Sequence, residues 1–100
     1  MARIELAPEV MDDLDRILDH LLLHESPDAP SRVRQIVRAV HALEDNPLIG
    51  RGCENGKHEL VSGHDARGHI AQYRYIPEID TVFVLAIRSQ CEAGHVRESL

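Results

Sequence analysis

The chain has 100 residues, 43% of them apolar and only 3% aromatic, and carries a formal net charge of −6. That length suits one domain with one core, built from Leu, Ile, Val and Ala, and is too short for two. The acidic balance disfavours a protein that grips a nucleic-acid backbone over a broad surface, because that binding depends on cations.

Residues 2–6, ARIEL, alternate as a short strand does, with Ile4 opposed by Arg3 and Glu5. Pro8 suits a first helical position, where its missing N–H is harmless. Val10, Leu14, Ile17, Leu18, Leu21 and Leu22 then recur at helical spacing, with Asp12, Asp13, Asp15 and Asp19 assigned to the solvent side. This predicts a helix ending near His24. Ser26-Pro27-Asp28 is a second helix start, and Val33, Ile36, Val37, Val40 and Leu43 form its stripe before Asn46-Pro47 stops it. Two such helices on a short link should pack as an antiparallel hairpin, and their wide stripes should also cover a sheet.

Pro47 to Gly56 reads as loop, punctuated by Gly50, Gly52 and Gly56. Three strands are expected after it: Lys57–Val61, Gly68–Ile76 and Thr81–Arg88, the last two joined by the short turn Pro77-Glu78-Ile79-Asp80. The fold class is α+β: an N-terminal strand, an antiparallel two-helix hairpin and a three-stranded antiparallel meander (β-α-α-β-β-β), closed by a short polar tail.

Charge is uneven. Residues 1–50 hold five Lys/Arg against ten Asp/Glu, and residues 51–100 hold six against seven. The acid lies on the first helix, where it either solvates that face or steers a basic partner segment; a local basic patch is left to the second half. No apolar run is long enough to cross a bilayer, and Arg3 and Glu5 stand where a signal peptide would be apolar. With only Cys53 and Cys91, a reduced cytoplasm is expected rather than a disulfide framework.

Several side chains can carry chemistry. Arg74 shares a strand face with Ile70, Gln72 and Ile76, opposite Ala71, Tyr73 and Tyr75, and is either a phosphate or partner contact or a solvated arginine. Arg88 ends an apolar strand, a position where sites often form. His20 and His24 have metal-ligand spacing with nothing to complete the set, and His64-Asp65 reads as turn chemistry.

The order of these pieces resembles the RelE/ParE superfamily of toxins from bacterial type II toxin–antitoxin (plasmid stabilisation) systems. The likeness is carried by IELAPEVMDDLDRI at the start, Asn46-Pro47-Leu48-Ile49-Gly50-Arg51, Glu59-Leu60-Val61, Tyr73-Arg74-Tyr75, the strand from Asp80 to Arg88, and Glu92-Ala93-Gly94-His95. It implies a toxin neutralised by a cognate antitoxin in a hetero-oligomer, with no cofactor. It also implies one of two actions. A ParE-like toxin inhibits DNA gyrase through protein contacts. A RelE-like toxin is a ribosome-dependent endoribonuclease acting on messenger RNA, for which Arg74 and Arg88 would supply cations and His95, or His58, an acid or base. The sequence departs from the cleaving pattern: His58 stands where arginine is common, Ser89 where histidine is common, and His95 where tyrosine is common. The ParE-like branch is therefore favoured, with a degenerate toxin that keeps only antitoxin binding as a third reading.

Overall fold

The computed structural model describes residues 1–23, 29–63 and 68–89. Strand β1 (Arg3–Leu6) leads into helix α1 (Pro8–Leu23), followed by helix α2 (Ala29–Ala42). Strands β2 (Arg51–Gly52), β3 (Lys57–Ser62), β4 (His69–Ile76) and β5 (Thr81–Ser89) complete one five-stranded sheet in the order β1-β5-β4-β3-β2. The meander β3-β4-β5 is antiparallel, as the short turns require. β1 runs parallel to β5 with Arg3 opposite Thr81 and Leu6 opposite Val84, so the first strand closes on the last.

Segment 47–56 departs from the expected loop. Arg51 and Gly52 pair antiparallel with Glu59 and His58, adding a fifth strand. The reversal is made by Asn55 and Gly56, both in the left-handed region, and closed by the Cys53 N–H donating to the Lys57 carbonyl at 2.7 Å.

Both helices cover one face of the sheet. Val10 and Ile17 of α1, Ile36 and Val40 of α2, and Leu43 just beyond it are buried against Ala71, Tyr73, Val82, Val84 and Ile87. Each such aliphatic side chain contributes about 1.5–3 kcal/mol by leaving water. Val10 and Leu14 lie beside Val40 and His41, so the start of α1 meets the end of α2, as in an antiparallel hairpin.

Two expectations for α1 need correction. Leu22 is 57% exposed, because the buried row Val10-Leu14-Ile17-Leu21 leaves it about 100° round the helix from Leu21. Asp13 is not a solvent-face acid: it is half-buried, and its Oδ2 accepts the backbone N–H of Ile87 at 3.0 Å. Among the described residues no helix is long and apolar enough to cross a membrane. The Ser26-Pro27-Asp28 cap, His24, His64-Asp65, Cys91 and the tail with His95 lie outside the described residues.

Candidate functional site

The helices leave one face of the sheet open, and the candidate cations stand on it. Side chains alternate across a strand, so the buried Ala71 and Tyr73 of β4 point to the helices while Gln72 and Arg74 point away. The cross-strand partner of Arg74 is Lys57 on one side and Phe83 on the other, and Glu59 stands opposite Gln72. Lys57, Glu59, Arg74 and Phe83 therefore share the open face.

Arg88 reaches the same face only because β5 is irregular. Gln72 pairs with Ala86, but the next residue, Tyr73, pairs with Val84, leaving Leu85 as one extra residue in β5. A regular strand would continue the inward series Val82-Val84 to Ala86 and Arg88. The bulge shifts the phase, so Ile87 turns inward at 1% exposure and Arg88 pairs with Ile70 on the face away from the helices, where Ile70 itself is buried. Bulges commonly re-aim a side chain in this way. Arg74 and Arg88 thus share a face, but lie about 13 Å apart along the strands, four residues at the ordinary rise.

His58 does not join them. It stands opposite Tyr73 in the register and stacks on that ring, with centroids 5.4 Å apart and planes inclined by 22°. Tyr73 is a core residue, so His58 lies on the helix-covered side of the sheet, with its Nδ1 buried and unpartnered. The option of pairing His58 with the two arginines fails on this geometry. His95, the other candidate base, lies outside the described residues.

Beneath the stack, the loop before β2 is pinned to the core. The Gly50 N–H donates to the Tyr73 hydroxyl at 2.9 Å. A Cβ at residue 50 would lie 2.7 Å from that oxygen and 2.8 Å from the Glu59 carbonyl, so only glycine fits. Burial pushes the Tyr73 phenol up, and the Gly50 N–H offsets part of that rise. Next to this loop, Arg51 pairs with Glu59 at 3.5 Å, and the Glu59 side chain is only 10% exposed.

A second feature is an apolar cleft of about 250 Å³ between the helices and the sheet edge. It is lined by Ile4 and Leu6 of β1, Val10 and Leu14 of α1, and Ile36, Val37 and Val40 of α2 among others. Leu6 and Val37 are nearly half exposed at its mouth.

The family model described as "ParE toxin of type II toxin-antitoxin system, parDE" matches residues 4–94. The chain belongs to that family. A solved structure described as the chromosomal ParDE toxin–antitoxin system from P. aeruginosa is similar at 26% identity and a TM-score of 0.73, covering 89% of this chain and 96% of that one. The fold is also shared with a mutant of the E. coli toxin RelE in the free state, at 15% identity and a TM-score of 0.66 over 98% and 93% of the two chains. It is shared as well with the RelBE2 toxin–antitoxin complex from Mycobacterium tuberculosis, at 18% identity and a TM-score of 0.60 over 89% and 98%. No curated protein sequence matches the chain.

For this ParE-family toxin, sequence reasoning locates Arg74 and Arg88 but misses three residues that shape the site. Lys57 carries no mark of its own, because its place beside Arg74 depends on strand register. Leu85 is one more apolar residue in an apolar run, and nothing local marks it as the bulge. Asp13 carries a faint signal: it lies one helical turn before Ile17, on the flank of the buried stripe.

Proposed function

We propose that this ParE-family toxin is held by a cognate antitoxin and, when released, inhibits DNA gyrase through protein contacts. The observation that carries the reading is the separation of His58 from Arg74 and Arg88 by the thickness of the sheet. The described open face offers cations and apolar surface, and its carboxylate Glu59 is largely buried and paired with Arg51. That arrangement suits binding, whereas phosphodiester cleavage needs a free acid or base at the same phosphate. Family membership supports the toxin part of the reading, and the net acidity favours a protein target over a bare nucleic-acid backbone.

The antitoxin's place in this reading is the cleft lined by Ile4, Leu6, Val10 and Val37. An extended or helical segment would insert apolar side chains there and set basic groups against Asp12, Asp15 and Asp19 of α1, all three exposed. Purified toxin freed of antitoxin is expected to block gyrase supercoiling, and added antitoxin to restore it. A RelE-like ribonuclease is the second reading, favoured by Arg74 and Arg88 sharing one face, with His95 as its base. Ribosomes programmed with messenger RNA should then acquire new 5′ ends.

A further inference from the structure

Lys57 and Arg74 stand directly opposite one another on adjacent strands, both on the open face. Like charges so placed weaken a sheet. The other cations described on the sheet edges have acids beside them, Arg3 with Glu5 at 2.9 Å and Arg51 with Glu59 at 3.5 Å. Lys57 and Arg74 have no carboxylate partner among the described residues. The Arg74 side chain is exposed and runs past Gly56, its Nη2 and Nε 3.6 and 3.7 Å from where a Cβ on that glycine would stand, an ordinary contact distance. Apolar surface adjoins the pair: Phe83 lies across from Arg74, and Ile76 follows it on the same face.

The surroundings select among anions. A nucleic-acid strand presents a phosphate at every nucleotide and is met by a track of cations. Among the described residues, carboxylates interrupt such a track: Glu59 lies between the pair and Arg88, and Glu5 stands opposite Phe83 on the far side. What remains is a seat for one anionic group with apolar flanks. We propose that Lys57 and Arg74 together receive a single acidic side chain of the toxin's protein target, with a neighbouring apolar residue of that target packed on Phe83 and Ile76. The inference rests on the reading of the chain as a toxin acting through protein contacts, and does not require the target to be gyrase.

The test is charge reversal. Arg74→Glu places an acid opposite Lys57, and Lys57→Glu places one opposite Arg74, so either variant should melt at or above the wild type, by about 2 °C. Expressed in bacteria without antitoxin, each should need at least about a tenfold higher toxin level to arrest growth, as expected when one partner of an interfacial charge contact is reversed. Arg34→Glu, an exposed reversal on α2, controls for the change in net charge and should arrest growth as the wild type does. Undiminished arrest by both sheet variants would overturn the proposal, and so would a wild-type chain that never arrests growth. Fluorescence anisotropy with a labelled DNA duplex provides the remaining arm: binding by the wild type that Arg74→Glu abolishes would make the occupant a phosphate and overturn the carboxylate assignment. Arrest that depends on Arg74 while gyrase supercoiling is untouched would remove gyrase as the target and leave the seat in place.

Discussion

Asp13 on α1 accepts the backbone N–H of Ile87 on β5 at 3.0 Å, joining the first helix to the last strand at the point where that strand changes phase. β1 pairs with β5 only as far as Leu6 opposite Val84, so beyond that point the β1 side of β5 has no strand beside it among the described residues. The carboxylate takes the place of a strand neighbour. It also holds an N–H immediately before Arg88, which makes it a positioning residue for the open face.

Asp13→Ala should destabilise the chain by about 1.5–3 kcal/mol, the range for a hydrogen bond to a charged group. Asp13→Asn keeps an acceptor oxygen and should lose less. Urea denaturation of both variants measures the difference, and equal stability of Asp13→Ala and wild type would show that the Ile87 N–H finds another partner.

Gly50 and Tyr73 form a second tie whose loss should be severe. Gly50→Ala forces a Cβ against the Tyr73 hydroxyl and the Glu59 carbonyl, and overpacking of this kind costs about 1–3 kcal/mol. Tyr73→Phe keeps the ring but leaves the Gly50 N–H without its acceptor, a loss of about 1–2 kcal/mol. Thermal melts of the two variants should both shift down; a Gly50→Ala melt unchanged from wild type would contradict the close approach.

How much of this is legible in the sequence differs by feature. The helices and the β3-β4-β5 meander follow from periodicity and turn residues, and the inward series Ala71, Tyr73, Tyr75 follows from simple alternation. The face of Arg88 does not, because Thr81 to Ile87 is almost wholly apolar and either phase of the strand would look acceptable until the pairing is known. The parallel closure of β1 on β5 joins residues nearly eighty apart, and no local signal encodes it. The strand at Arg51–Gly52 is hidden for another reason: glycine is a poor strand residue, and its neighbours read as turn.

The two tyrosines should make stability fall at alkaline pH. Burial raises the Tyr73 phenol above its ordinary value of 10.0, and the Tyr75 phenol is raised because its hydroxyl donates to Asp80 Oδ1 at 2.7 Å. A folded value above the unfolded one means that the contribution is complete below about pH 10 and is lost as pH rises through the folded values. Stability should therefore be level on the neutral side and fall above about pH 10. Tyr75→Phe should make that fall shallower, as read from urea midpoints across the alkaline range; an identical alkaline slope would show that Tyr75 is not linked to folding.

Arg88 offers a test of the open face that is separate from the Lys57–Arg74 pair. Arg88→Ala removes a half-buried cation with no ion pair among the described residues, so stability should change by less than about 0.5 kcal/mol. Toxicity should nevertheless drop if this face meets the target. Growth arrest by an Arg88→Ala chain that matches the wild type at equal expression would confine the contact to the other end of the sheet.

The most direct measurement is gyrase supercoiling with purified, antitoxin-free toxin, run beside a ribosome-dependent messenger cleavage assay on the same sample. Loss of supercoiling, reversed by the antitoxin and accompanied by intact messenger, is the expected result. Normal supercoiling together with new 5′ ends on ribosome-bound messenger would contradict it, and would assign the open face to RNA.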